Sequence, residues 1–438
     1  MPTRRDFVRS AALASASSLV VSAPASALAD AEPSSIAPLL PPSGSPAEVA
    51  RDESYWRRVA AQYRVLDRTT NLEAGYFGMM ANPVLAAYHR HIDRANRASS
   101  FFARREYPAI LTAVRQRVAD ALGAKPTEIA FSRGATEALQ VLIGQYNGVR
   151  AGDTVLYADL DYNAMQWAMN ALAERRGATV ARLEIPEPAS GEAIMAAYTA
   201  ALDANPRTRL LLLTHCNNKT GLILPVREIA ALARARGVDV VVDAAHSFGQ
   251  VPLALADLGA DFVGINLHKW IGAPVGAGAL YIREGRLSAI DRAHGDESSP
   301  PSSIDSRIHT GTTHFATVMT IPDALDFQAS IGIDHKSARL RFLRDRWAVA
   351  ARAINGVDIL TPDDPALVGA ITSFRLHGRG ERDANQAVAR TLLEEFRLFT
   401  YWRTGLAKGD CVRVTPALYN TPADADRLVA ALRVVAER

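Results

Sequence analysis

Two short, β-branched apolar runs in this chain end on ionisable residues. Val238–Val242 leads into Asp243-Ala-Ala-His246, and Asp261–Ile265 leads into Asn266-Leu-His268-Lys269-Trp270. Such runs read as buried parallel strands, and ligands bind outside the carboxyl ends of strands in open α/β sheets. Asp243 and Lys269, 26 residues apart, are therefore expected side by side at one sheet edge. An acid and a lysine so placed suit pyridoxal 5'-phosphate (PLP). The amine forms a Schiff base with the cofactor aldehyde, and the carboxylate keeps the pyridine nitrogen protonated so that the ring accepts electrons from a substrate Cα. The lysine must be deprotonated to attack, which burial against Trp270 and Ile271 favours. Taken singly, Asp243 also reads as a cap or turn residue, and Lys269 as a solvated charge.

Other polar stretches fall at strand ends. Ser132-Arg133-Gly134-Ala135-Thr136-Glu137 lies between a strand and a helix. It reads either as a phosphate site at a helix N-terminus or as an ordinary N-cap. It matches neither the P-loop nor the dinucleotide fingerprint. Tyr162 follows the strand Thr154–Tyr157 and reads as a ring stacked on an aromatic cofactor or as a core aromatic. Asn218, in His215-Cys216-Asn217-Asn218-Lys219-Thr220-Gly221, reads as a donor to a phenolate oxygen or as a turn residue. His215, His246 and His268 all end strands, but no metal-ligand spacing accompanies them, and Lys269 beside His268 repels a cation. No metal is expected.

The elements that must position these residues alternate. Strand-like runs at 128–131, 154–157, 179–183, 209–213, 238–242, 261–265 and 277–282 are separated mostly by helical segments at 136–145, 164–175, 192–202 and 226–236. That pattern predicts a doubly wound, mostly parallel sheet. Helices at 322–331, 334–354, 383–395 and 422–437, with strands at 371–376 and 411–414, predict a smaller C-terminal α+β domain. The expected organisation is a linker at 30–50, an N-terminal segment at 51–70 that packs with the small domain, a large domain at 71–321 and a small domain at 322–438.

The net charge is +3, and the first 29 residues carry three Arg and one Asp, so the remainder is near neutral. This argues against nucleic-acid or acidic-membrane partners. Arg4-Arg5 before an apolar stretch, with Ala27-Leu28-Ala29 as a small-x-small cleavage site, resembles a twin-arginine export signal. A signal peptide over 1–29, passage through the twin-arginine translocon and a periplasmic or secreted enzyme follow as expectations, with no membrane segment in the mature form. Cys216 and Cys411 both lie in apolar runs and read as small buried residues.

Asp243-Ala-Ala-His246, Asn266-Leu-His268-Lys269-Trp270 and Arg133-Gly-Ala-Thr136 together resemble class V aminotransferase-like enzymes of PLP fold type I. The chain is most similar to the isopenicillin N epimerase-like branch, through Asn-Leu-His-Lys-Trp and Tyr419-Asn420-Thr421-Pro422. The resemblance implies the α/β fold of PLP-dependent transferases and assigns roles. Lys269 would be the Schiff-base lysine and proton shuttle, Asp243 the partner of the pyridinium, and Tyr162 the stacking residue. His246 and Asn218 would stand near the phenolic oxygen. Ala135, Thr136, Asn266 and His268 would hold the phosphate. Thr310-Gly311-Thr312 resembles a segment that crosses to a partner subunit's phosphate, which implies a homodimer with Thr312 in the partner's site. Arg413 matches the arginine that grips a substrate carboxylate.

The loop Arg403–Asp410 lacks the nucleophilic cysteine of desulfurases, so persulfide chemistry is not expected. What remains is a PLP enzyme acting on an amino acid or peptide-borne amino group, by transamination or epimerisation, with β-elimination as the alternative. A binding protein that merely holds PLP is a third possibility, but it has no need of a proton shuttle or a carboxylate clamp.

Overall fold

The structure, a computed structural model, describes residues 39–438. The twin-arginine and cleavage motifs lie outside the described residues. Thirteen strands are found among them. They are β1 (Thr70–Asn71), β2 (Ile129–Ser132), β3 (Thr154–Ala158), β4 (Thr179–Leu183), β5 (Thr208–Thr214), β6 (Asp239–Asp243), β7 (Phe262–Asn266) and β8 (Gly278–Ile282), then β9 (Val357–Ile359), β10 (Thr372–Leu376), β11 (Leu398–Phe399), β12 (Tyr401–Arg403) and β13 (Cys411–Val414).

Seven strands make the large sheet, in the order β2-β8-β7-β6-β5-β3-β4. Only β8 runs against its neighbours β2 and β7. The β-branched runs form central strands because both faces are covered. Leu211, Leu213, Val240, Val242, Val263 and Ile265 pack into one core. The intervening Leu210, Leu212, Val241 and Phe262 pack into a second core on the opposite face. A side-chain period of two, buried on both sides, gives the continuous apolar runs seen in the sequence.

The C-terminal part carries a four-stranded antiparallel sheet, β12-β13-β10-β9. Its separate core is built on Trp347, Phe374, Leu392, Val412 and Leu428. Residues 39–438 nevertheless form one compact unit. The expected boundary at 321–322 falls between the large sheet and the small one.

One expectation is corrected. The linker stops short of residue 50: Ser45 and Glu48 form a capping box, Pro46–Val49 is helical, and Val49 and Ala50 are buried. The Ser-x-x-Glu spacing is the local signal for this start. The helix Asn82–Phe101 kinks at Ser99 and joins Tyr107–Leu122 through a π-helical turn at Phe102–Glu106. The turn sits where Pro108, which lacks an N–H, enters the second helix.

The helical turn Pro46–Val49 lies against Ile333–Ala351, and the helix Glu53–Ala60 that follows reaches it through side chains. Arg339 pairs with Glu53 and stacks its guanidinium 5.4 Å from the Trp56 ring. Trp56 is almost fully buried, and its Nε1 donates to Val49 O at 2.7 Å. Trp56→Ala is expected to cost about 3–5 kcal/mol. A lower denaturant midpoint in equilibrium unfolding would register it, and an unchanged midpoint would mean that this segment does not stabilise the fold.

Candidate active site

The carboxyl ends of β5, β6 and β7 and the N-terminus of the helix Ala135–Gly144 converge on a cavity of about 520 Å³. Lys269 lies just beyond β7 and is half-buried, with Nζ 2.8 Å from His246 Nε2. Burial lowers the Lys269 pKa to about 8, with Asp243 opposing and the Arg413 and Arg403 charges assisting. Burial, followed by the Lys269 charge, pushes His246 well below the usual histidine range, so its imidazole is neutral. Asp243 ends β6 and is buried, with one carboxylate oxygen taking the Ala245 N–H at 2.9 Å. Burial raises its pKa, against that backbone bond and the Lys269 charge.

The lysine loop is fastened on several sides. His268 O accepts from Gly78 N at 2.8 Å, and Ile271 O accepts from Gln328 Nε2 at 3.1 Å. Trp270 O accepts from the buried Lys336 Nζ. Gly78 lies so close that a Cβ there would stand 1.8 Å from Lys269 O.

Around the helix N-terminus, Asn266 Oδ1 takes the Ala135 N–H at 2.7 Å. No side chain of the N-cap residue, Gly134, closes that first turn, and Ala135 and Thr136 line the cavity. His268 also lines it, with Nδ1 2.8 Å from Ala277 O, which fixes the ring. Arg133 stays at the surface, paired with Glu137. Tyr162, the N-cap of Asn163–Arg176, is partly exposed on the wall. Asn218 lines the cavity too, and its Oδ1 is buried without a partner.

Of the sequence-predicted residues, Lys269, Asp243, His246, Ala135, Thr136, Tyr162, Asn218, Asn266, His268 and Arg413 thus line one cavity. Thr312 does not: it is exposed on an irregular segment outside the cavity of its own chain. The three strand-end histidines diverge, since His215 is absent from the cavity lining, whereas His246 and His268 are in it. Both cysteines are free and buried, and burial raises each thiol to about 12.

Sequence reasoning missed Glu73 and Arg403. Glu73 is buried and pairs with both Arg413 and Arg403. It lies in the turn-rich stretch Asn71–Gly78, whose composition gave no sign of a buried acid.

The family description Aminotransferase class-V matches residues 82–428. The chain belongs to the class V aminotransferase family. It is 30% identical to the isopenicillin N epimerase of Amycolatopsis lactamdurans over 398 residues, 86% of this chain and 98% of the relative. A cysteine desulfurase structure from Escherichia coli superimposes with a TM-score of 0.72 at 22% identity, over 87% of this chain and 98% of that one. A cystine C-S lyase, solved with its product cysteine persulfide, gives a TM-score of 0.72 at 22% identity, over 84% and 98%. These two structures share the fold, that of PLP fold type I.

Enzymes of this family depend on PLP, and the residues present fit it. Asn218 Oδ1 and His246 Nδ1 are buried on the cavity wall without protein partners. The Lys269 amine has its pKa lowered to about 8, and a helix N-terminus opens beside it. Only the uncharged amine takes up the cofactor. With a Lys269 pKa of about 8, the rate of PLP uptake by apo-protein is expected to rise with pH and level off above about 8. Stopped-flow absorbance at fixed PLP measures this; a rate still climbing at pH 10 would place the amine in the range of an ordinary solvated lysine.

Proposed function

We propose that the protein is an exported, homodimeric PLP enzyme that acts at the Cα of an amino acid, free or peptide-borne, by transamination or epimerisation. The observation that carries this reading is the 2.8 Å contact of Lys269 Nζ with His246 Nε2, in a cavity that Asp243 and Arg413 also line. PLP, when bound, supplies an aldehyde carbon for the substrate amine and a ring that withdraws electrons from the Cα bonds.

The chain's own residues do the rest. Lys269 Nζ takes and returns the proton at Cα, a task suited to an amine titrating near neutrality. His246 receives the Lys269 hydrogen bond as a neutral acceptor and keeps Nζ oriented. Asp243 would face the pyridine nitrogen, Tyr162 the ring, and Asn218 the phenolic oxygen. Thr136, His268 and the backbone at Ala135 would hold the phosphate, with Asn266 fixing the helix turn that presents them. Arg413 grips the substrate carboxylate by charge-assisted hydrogen bonds.

Persulfide transfer is disfavoured because neither thiol lines the cavity and both are buried, with pKa values of about 12. The same burial favours β-elimination as the second reading, since loss of a leaving group from Cβ needs no protein nucleophile. Thr312 is exposed away from its own cavity, which supports the reading that it serves a partner subunit's site. The Arg4-Arg5 pair supports export.

Loaded enzyme should be yellow, with an absorption that borohydride bleaches and that Lys269→Ala lacks. Titration with L- and D-amino acids and short peptides, with products identified by mass spectrometry, separates the reactions. A keto acid means transamination, an inverted Cα means epimerisation, and pyruvate with ammonia means elimination. Colourless protein that takes up no PLP would refute the reading.

Export is tested separately. Changing Arg4→Lys and Arg5→Lys together should retain the protein in the cytoplasm in cell fractionation; normal periplasmic recovery would reject the signal.

A further inference from the structure

The end of the cavity lined by Arg413 is built by a strap, residues 71–78, that comes from the far N-terminal side of the chain. Leu72 O accepts from Thr415 N at 2.6 Å, and Ala74 N donates to Thr415 O at 3.2 Å. The strap therefore lies along the end of β13, the strand that carries Arg413. Gly75 passes beneath the arginine, where a Cβ would come within 2.7 Å of Arg413 Nη2. Three residues on, the strap donates from Gly78 to His268 O and reaches the lysine loop.

Glu73 is the only acid that pairs with the two arginines of this cavity end among the described residues. Its Oε1 accepts from Arg403 Nη2 at 2.6 Å and from Arg413 Nη2, and its Oε2 accepts from Arg413 Nε at 3.2 Å. Arg413 Nη1 donates to Asn218 O at 2.7 Å. The side chains of Arg413, Glu73 and Arg403 are only 1%, 5% and 18% exposed.

Two guanidiniums against one carboxylate leave a positive charge in a largely dry place, and such a charge is costly until an anion meets it. One incoming carboxylate balances the cluster. Of the five N–H donors on each guanidinium, Arg413 has three committed. Arg403 has one committed, and its buried Nε has no partner. Arg403 lines the cavity and rests over the Tyr401 ring at 5.1 Å, which limits its rotation. The free donor capacity for an anion is therefore larger on Arg403 than on Arg413.

We propose that Arg403 is a specificity-determining residue that shares the substrate carboxylate with Arg413, and that Glu73 is the positioning residue that holds the two guanidiniums side by side for it. The proposal rests on the reading that the substrate carboxylate meets Arg413. It narrows the substrate class to amino acids, free or at a peptide C-terminus, whose carboxylate is unblocked. An ester or carboxamide would leave the excess charge unanswered.

The test compares each free amino acid with its carboxamide, on holoenzyme by absorption titration and turnover. A second readout, on cofactor-free protein, is acetate and propionate binding by calorimetry. The wild type should prefer the free acid. Arg403→Gln should raise KM for the free acid and reduce its preference over the carboxamide by tens- to roughly a thousand-fold, the range for leaving a desolvated charge without its partner. It should also weaken propionate binding, and Arg403→Lys should restore part of both. Glu73→Gln should lower kcat at least about tenfold without raising KM, because it removes an internal competitor for the arginines while loosening their placement. Glu73→Asp should recover part of kcat.

Unchanged discrimination in Arg403→Gln, alongside its loss in Arg413→Gln, would overturn this proposal and leave the carboxylate at Arg413. Unchanged discrimination in both variants would mean that the carboxylate does not bind at this end at all. A Glu73→Gln enzyme with a lower melting temperature but unchanged kcat and KM would reduce Glu73 to a structural ion pair.

Discussion

A lysine amine that must stay close to uncharged, away from water, makes demands on everything around it. Lys269 meets them by standing one residue beyond His268 at a sheet edge, where the buried β7 has already removed solvent. The neighbouring imidazole can accept its hydrogen bond because burial keeps that imidazole neutral. An amine that loses hydration needs a fixed partner more than a charged one does, since it gains no Coulombic return from a loose ion pair. Hence the carbonyls that flank it are anchored by groups from three separate elements: Gly78, Gln328 and Lys336. Lys336 is itself a buried lysine, lowered by burial to about 7. The small sheet's helices therefore help to shape the loop on which the reactive amine sits.

The two ends of the cavity solve different electrostatic problems. At the helix N-terminus the protein offers backbone donors and rigid neutral groups, with Asn266 holding the first turn and the Ala277 carbonyl holding His268. At the other end it gathers full charges and tempers them with Glu73. The first arrangement suits a group that stays bound, because it is built from fixed dipoles that need no reorganisation. The second suits a group that comes and goes, because the internal ion pairs keep the arginines ordered when no ligand is present.

Much of this was legible in the sequence for a physical reason. Strands buried on both faces must be apolar along their whole length, so β3 and β5 to β8 appear as short apolar runs, and the bounds of the edge strand β4 and of β13 are as read. Polar residues that interrupt such runs at their carboxyl ends have few purposes, and the sequence pattern alone puts Asp243, Asn266, His268 and Lys269 at one edge. The strands β1, β9, β11 and β12 have only two or three residues each, too few to show a period of two. Glu73 was invisible because its burial is set by an arginine 340 residues away, and a glutamate in a glycine-rich turn looks solvated. Thr312 could be suggested only by resemblance, since one chain by itself gives it nothing to touch in the cavity.

The strap has a consequence for how the molecule is made. Thr70 pairs with Leu398, and Glu73 neutralises charges on β12 and β13, so a segment synthesised early finds its place only against one synthesised late. The large sheet is complete in sequence by Ile282, and the amine at position 269 has its histidine by then. The cavity's charged end has no wall until residues 398–415 have left the ribosome. A nascent chain thus gains the parts that hold a cofactor before the parts that select what reacts there. Only a polypeptide that has grown past these residues, with the strap seated on β12 and β13, has a closed binding end.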